Sequence, residues 1–179
     1  MPEQPLQLDE LYDAIEQHIK DCLPELAYVG IMPDMLHQID LPAVVVEVAE
    51  FESGEDSGTG QTALVMRFEA RVIVAGETPD ALKQAAHGAA QIAVLLRDQY
   101  WGLEVDAAKF ERAAQDWTRP ELDGYAVWVI EWTQGVELGE QEWPWPDQRL
   151  GTLVWGVYPE TGAGHEADYV PVEQLDITT

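Results

Sequence analysis

The sequence predicts an α+β fold: one domain in which a mixed, mostly antiparallel sheet is packed on one face by two helices, followed by an extended C-terminal arm. Three stretches carry that prediction. From Leu64 to Val74, the residues Leu64, Met66, Phe68, Ala70, Val72 and Val74 alternate with Val65, Arg67, Glu69, Arg71 and Ile73, so an extended backbone puts the first set on one face. Behind it, Leu82, Ala85, Ala86, Ala89, Ile92, Ala93 and Leu96 recur at helical spacing, and the alanines allow a helix to approach a sheet closely. From Leu122 to Trp132 the chain alternates again, with apolar groups on both faces, as in a strand inside a sheet.

Taken in order, Met1 to Gln7 is a lead-in, and Leu8, Leu11, Tyr12, Ile15, Ile19 and Cys22 form an amphipathic stripe that Pro24 ends. Cys22 falls on the apolar side of that stripe and reads as a buried structural thiol, since a nucleophilic thiolate needs a basic or helix-start setting. Tyr28 to Leu41 reads as irregular, punctuated by Pro33 and Pro42, with His37 packing or facing water. Ala43 to Val48 is a β-branched run suited to a strand buried on both sides. Glu50 to Gln61, with three glycines, two serines and four acids, is too long for a tight turn and reads as a mobile loop. Thr78, Pro79 and Asp80 mark the start of the long helix by cap, first-turn proline and dipole. Trp101 to Val105 then reads as a short strand and Ala107 to Gln115 as a brief helical or irregular excursion. The strand at Leu122 to Trp132 ends at Gly135 to Gly139. Beyond it, Trp143-Pro144-Trp145-Pro146 cannot be a central strand, and its rings cap the core edge or dock on another subunit. Thr152 to Tyr158 reads as a last short strand. Residues 1–138 are therefore the core, and residues 139–179 an acidic, Trp/Pro-rich extension packed on the core or on a neighbouring subunit; from Gly139 onward it has eight acids and one base, Arg149.

Charge bounds the function. Against 34 acidic side chains stand 9 basic ones, a formal charge of -25. Phosphate binding relies on Lys and Arg displacing counterions, so a broad nucleic-acid surface is excluded and an anionic membrane is disfavoured. The 46% hydrophobic content and seven tryptophans argue for a packed core. One cysteine makes no internal bridge, and neither a cationic start with an apolar run nor a membrane-length apolar window is present, which points to a cytoplasmic protein.

No catalytic or cofactor site is expected. The histidines His18, His37, His87 and His165 are scattered and no serine sits in a nucleophile elbow. Gly162 and Gly164 lack the Lys, the Ser/Thr and the helix of a phosphate loop. His165, Glu166 and Asp168 have metal-ligand chemistry but read as a hydrogen-bonded turn. Glu52, Glu55 and Asp56 offer hard oxygens for calcium, yet their spacing misses the EF-hand pattern, so the loop reads as a solvated protrusion.

The order of helix, PAVVVEV strand, long loop, RFEARVIV strand, TPDALKQAAHGAAQIAVLL helix, short strand and GYAVWVIEWTQGVEL strand resembles the tail terminator (tail completion) proteins of long-tailed phages. The ending VWGVYPETGAGHEADYVPVEQL, with Pro-Glu-x-Gly and His-Glu-x-x-Tyr, is similar to that of a branch encoded by Mu-like prophages. The resemblance implies a structural virion subunit and no enzyme or cofactor. Such subunits form a ring, implied to be hexameric, at the head-proximal end of the tail tube. The ring stops tube polymerisation and offers a surface for head joining. Its partners would be further copies of itself, the tail tube protein and a head-completion or neck protein; DNA is a passing cargo and no membrane is involved. The protein would be located in the virion and, during assembly, in the host cytoplasm. The long tail after Leu138 departs from the family pattern.

An acidic ring suits a DNA conduit, because repeated negative charge repels a polyanion that has to slide. In so acidic a surface the scarce cations Arg67, Arg71, Arg97 and Arg112, with Glu69 beside them, are candidates for the subunit interface, ordinary intrachain pairing being the alternative. Partner contacts are assigned to Glu52, Glu55, Asp56, Trp143, Trp145, His165 and Glu166. The competing reading is an acidic DNA mimic that inhibits a basic nucleic-acid-binding protein, which would show acids in regular rows.

Overall fold

The computed structural model describes residues 5–32, 40–142, 154–159 and 161–171. The chain divides into two compact units, Met1–Trp143 and Pro144–Thr179. The first is an α+β domain containing helices α1 (Leu8–Cys22) and α2 (Ala81–Leu95) and strands β1 (Tyr28–Gly30), β2 (Ala43–Ser53), β3 (Thr62–Ala75), β4 (Lys109–Gln115) and β5 (Tyr125–Leu138). The sheet order is β1-β2-β3-β5-β4; only the β1·β2 pair is parallel. The second unit contains a two-stranded ribbon of β6 (Val154–Trp155) and β7 (Val170–Pro171).

β3 is the central strand, and its alternation is realised as the sequence predicts. Met66, Phe68, Ala70, Val72 and Val74 are buried in the main core, and Leu64 packs half-buried against it. Both helices lie on that face: Leu11, Ile15 and Ile19 of α1 and Ala85, Ala89 and Ile92 of α2 join the same core. At its centre Phe68 stacks on Trp132, with ring centroids 5.0 Å apart and planes 8° apart, and Tyr12 meets Phe68 edge-on at 6.5 Å. Such aromatic contacts add about 1 kcal/mol each beyond area burial. The small-residue stripe does bring α2 close. A Cβ on Gly88 would lie 3.0 Å from Val72 Cγ1, so glycine sets the approach there.

Several elements differ from the sequence-based expectation. The long helix starts at Ala81, not at Thr78-Pro79: Asp80 takes a left-handed conformation (φ 57°) with no side-chain cap, and the Ala81 N–H bonds back to Thr78 in a turn. Leu82, counted in the apolar stripe, is 52% exposed, and Cys22 at the end of α1 is exposed rather than buried. Tyr28–Gly30 is not irregular, because it adds in parallel to β2. Glu50 to Ser53 belong to β2, which shortens the expected loop to residues 54–61. Trp101 to Val105 is a turn, since Trp101 itself has φ 57°, a value no strand residue adopts. Lys109–Gln115 is a strand; pairing along β5 overrides its weak local pattern. β5 runs on through Gly135 to Leu138, and Gly135 is required because a Cβ there would meet the Asp106 carboxylate at 2.1 Å. The last expected strand, Thr152 to Tyr158, is confined to Val154–Trp155 among the described residues.

Candidate functional site: the open face of the sheet

The sheet face away from the helices has two zones. Near the start of β2, Val45, Ile73, Val127 and Leu122 form a small second core with Tyr28, Met32, Leu41 and Tyr125 around it. Farther along the strands the face is ionic. Strand register sets Glu47 opposite Glu69 and Glu69 opposite Glu131, so three carboxylates stand in one row across β2, β3 and β5. Like charges directly opposite one another destabilise a sheet unless cations come between them.

Arginines from the adjoining positions supply those cations. Arg71, with 5% of its side chain exposed, binds Glu47, Glu69 and Asp116, the last at 2.8 Å. Arg119 also binds Glu47. Arg112 clasps Glu131 from β4 through Nε at 2.9 Å and a terminal nitrogen at 2.5 Å. Arg67 reaches Glu50 at 3.3 Å and Glu131 at 3.9 Å. Four of the chain's nine basic residues are therefore engaged on one face of one sheet.

The electrostatics follow from burial set against pairing. Burial opposes the charged form of Arg71, but its hydrogen bonds to Asp116 and Glu69 and the charge of Glu47 outweigh it, so the guanidinium is held more firmly protonated than usual. Arg112 is shifted the same way, chiefly by its hydrogen bond and charge pairing with Glu131. Burial would raise the pKa of Asp116, yet the Thr118 hydroxyl at 2.6 Å, the Thr118 N–H at 2.8 Å and Arg71 together hold it below the ordinary carboxylate value. Chemically, the arrangement fixes charge and strand register: the acids are bound as anions by guanidiniums that do not release protons in proteins.

The predicted interface cations thus meet the chain's own carboxylates. Arg71 is buried rather than on a solvent face, and Glu69 is one of its partners. Arg112 is paired but its side chain is 64% exposed. Among the described residues Arg97 reaches its neighbour Asp98, at 3.6 Å, and both are almost fully exposed. Of the predicted partner contacts, Glu52 lies exposed on β2, and Glu55 and Asp56 lie exposed in the connection to β3, where Asp56 accepts the Gly58 N–H. His165 bonds Asp168 at 2.9 Å in a single-turn helix that includes Glu166, as the hydrogen-bonded-turn reading expects. Trp143 and Trp145 lie outside the described residues, as does His37.

Glu47, Asp116, Arg119 and Glu131 were not singled out from the sequence. Glu47 and Glu131 had a signal, each being the lone acid in an apolar strand run. Asp116 and Arg119 sit in an irregular connection that becomes adjacent to Arg71 only on folding.

Opposite this face, a groove of about 190 Å³ opens between α2 and the start of β2, floored by Val44, Val72, Val74 and Ile92, with His87 and Gln91 at its rim. Among the described residues no group of His, Cys, Asp and Glu is arranged to hold a metal ion, and no helix is long and apolar enough to cross a membrane.

No family model matches the chain, and no curated protein does. Among solved structures, 29 chains are similar. One, a chain of the "Virion of native gene transfer agent (GTA) particle", is similar over 72% of this chain and 93% of that one, at 16% sequence identity and a TM-score of 0.43.

Proposed function

We propose that this chain is a structural virion protein, and specifically a tail terminator: a subunit of a ring, hexameric by the family resemblance, that caps the head-proximal end of a tail tube, halts tube growth and presents the surface for head joining. The observation that carries the reading is the element order. The helix, strand, loop, strand, helix and final strand of that order correspond to α1, β2, β3, α2 and β5 of one sheet-and-helix layer, while its short strand after the helix is a turn at Trp101 to Val105. The charge arrangement supports it. The cations of the sheet face are held in internal pairs, so they are not free to grip phosphate, while the net charge of -25 that repels a polyanion is unchanged. A conduit of this kind lets DNA pass without gripping it. The row Glu47, Glu69 and Glu131 does not favour a phosphate mimic, because arginines neutralise it in place.

Deletion of the gene in a strain that produces the particles, followed by electron microscopy against the complemented strain, tests the proposal. Overlong or ragged tubes with unattached full heads are expected. Tails of normal length and normal joining would refute termination, and the chain would then be assayed for a basic protein partner.

A further inference from the structure

The two edges of the five-stranded sheet are unlike, and their chemistry is complementary. On one side β1 pairs only with Ala43 to Val45, so β2 from Val46 to Ser53 has β3 on its inner side and no strand on its outer side among the described residues. The Tyr12 hydroxyl accepts the Val48 N–H at 2.9 Å, capping that edge at one point and leaving the stretch beyond it. That stretch reads Glu50-Phe51-Glu52, all exposed, with Phe51 51% exposed. On the other side β4 pairs with β5 and, among the described residues, with no other strand. It reads Lys109-Phe110-Glu111-Arg112, also exposed, with Phe110 at 45%. In a chain this acidic, two cations flanking an exposed phenylalanine on one edge and two acids flanking another on the opposite edge form a matched pair.

We infer that β4 of one copy adds in antiparallel fashion to the outer half of β2 of the next, so that the partner of each edge is a second copy of this chain. The inference rests on the reading that the protein assembles with itself. Strand direction permits it: β2 and β4 both run against their neighbours in a continuous β2-β3-β5-β4 order, so the outermost strands are mutually antiparallel when the next sheet continues in the same sense. Side-chain facing permits it too. Phe51 is in register with Met66 and Phe110 with Trp132, both buried residues of the helix-covered face, so the two phenylalanines lie on the same side of the extended sheet.

Bulges set the register. With Phe110 opposite Phe51, Lys109 falls opposite Glu52. The irregularity between Phe110 and Arg112 leaves Glu111 out, which brings Arg112 opposite Glu50; each keeps its partner within the chain, Glu131 and Arg67, and both are more than half exposed, so the joint links two existing ion pairs. Opposite charges and an aromatic pair at directly facing positions each favour pairing. Bulges and charges ordinarily protect an edge from unwanted addition, and here they admit only an edge of the opposite pattern. Because the two edges differ, the contact is heterologous and propagates until it closes. In the register proposed, each joint is staggered by two residues, about 7 Å, and a tilted sheet closing on itself accommodates such a stagger.

Directed cross-linking tests this. In the full chain carrying Cys22→Ser, Phe51→Cys and Phe110→Cys are introduced together. Facing Cβ atoms in an antiparallel pair are about 5 Å apart, within reach of a disulfide after small adjustment. At about 0.5 M salt, to screen the repulsion between copies, mild oxidation is expected to give a ladder of covalent multimers. Either cysteine alone should give none. Lys109→Glu should reduce the ladder roughly tenfold, and adding Glu52→Lys should restore it. Light scattering on the same samples separates the outcomes. Multimers without a ladder overturn the edge joint and leave self-assembly standing; neither multimers nor a ladder overturns both. Ladders from a single-cysteine variant overturn the heterologous pairing. Failure of Glu52→Lys to restore cross-linking, with an unchanged circular dichroism spectrum, overturns the register.

Discussion

Arg71 holds the ionic zone of the sheet together, and replacing it with methionine gives a prediction with both a size and a sign. The side chain is 5% exposed and binds Asp116, itself 3% exposed, together with Glu47 and Glu69. Arg71→Met fills much of the same volume but leaves Glu69 without its arginine between Glu47 and Glu131, and Asp116 buried with Thr118 as its remaining hydrogen-bond donor among the described residues. Removing one partner of a buried pair costs about 3 kcal/mol or somewhat more, because the surviving charge stays buried without compensation. Against a domain stability on the order of 10 kcal/mol, that is a large fraction. In urea, with a slope of about 2 kcal/mol per molar, the midpoint should fall by roughly 1.5 M at pH 7. The pH dependence makes the test specific. In the native chain the pKa of Asp116 is depressed below its unfolded value near 3.9, so its contribution is present above that value and is lost as pH falls through the lower folded value. In Arg71→Met the carboxylates can relieve their repulsion by taking up protons, so the deficit should be largest at neutral pH and shrink towards pH 4. Urea unfolding followed by tryptophan fluorescence at pH 7, 5.5 and 4 reads this directly. A variant as stable as the parent at pH 7, or a deficit independent of pH, would refute the assignment of the lattice as a stabilising ionic unit.

Three further outcomes follow from the packing and charge. Gly76→Ala would place its Cβ 2.0 Å from the Gly124 carbonyl oxygen, so the turn after β3 must shift, with a loss of about 2 kcal/mol in thermal or urea unfolding; an unchanged midpoint would show that the two turns are not in contact. Gln134→Leu removes the acceptor of the Trp101 indole N–H (2.8 Å) and the donor to the Asp106 carbonyl (2.7 Å), leaving buried polar groups unpaired at a cost of about 1 to 3 kcal/mol. Amide exchange should quicken first in residues 99–106, and uniform quickening across the domain would contradict a local role. Finally, at -25 per chain, self-repulsion should keep dilute protein monomeric at low salt and let it assemble as ionic strength rises; a light-scattering titration with the opposite trend would show that edge pairing between opposite charges outweighs the net field.

The predicted fold class and the two main strands were legible because their signals are local. β3 alternates over its whole core-facing set, Leu64 to Val74, and a period of two leaves one way to bury it. The α2 stripe was legible for the same reason, although its first turn was placed too early: Asp80 in a left-handed conformation is a backbone choice that the Thr-Pro-Asp signal does not reveal. β4 and β1 were missed. Their residues carry little strand pattern of their own, and they are strands because β5 and β2 present edges for them to pair with. Gly135 read as a terminator, whereas inside β5 it makes room for Asp106.

The candidate site divides along the same line. The sequence by itself determined that the chain is strongly acidic, that its cations are scarce, and that Arg67, Glu69 and Arg71 share one face of a strand, because composition and a two-residue period are properties of the chain alone. Which charges meet was decided only by the tertiary structure. Strand register aligned Glu47, Glu69 and Glu131 across three strands, and a connection far along the chain delivered Asp116 and Arg119 to Arg71. Pairing energies fall steeply with distance and with solvent access, so charges carry no fixed role until folding sets their separation and burial. That is why Arg71, read as a surface cation, is a buried one.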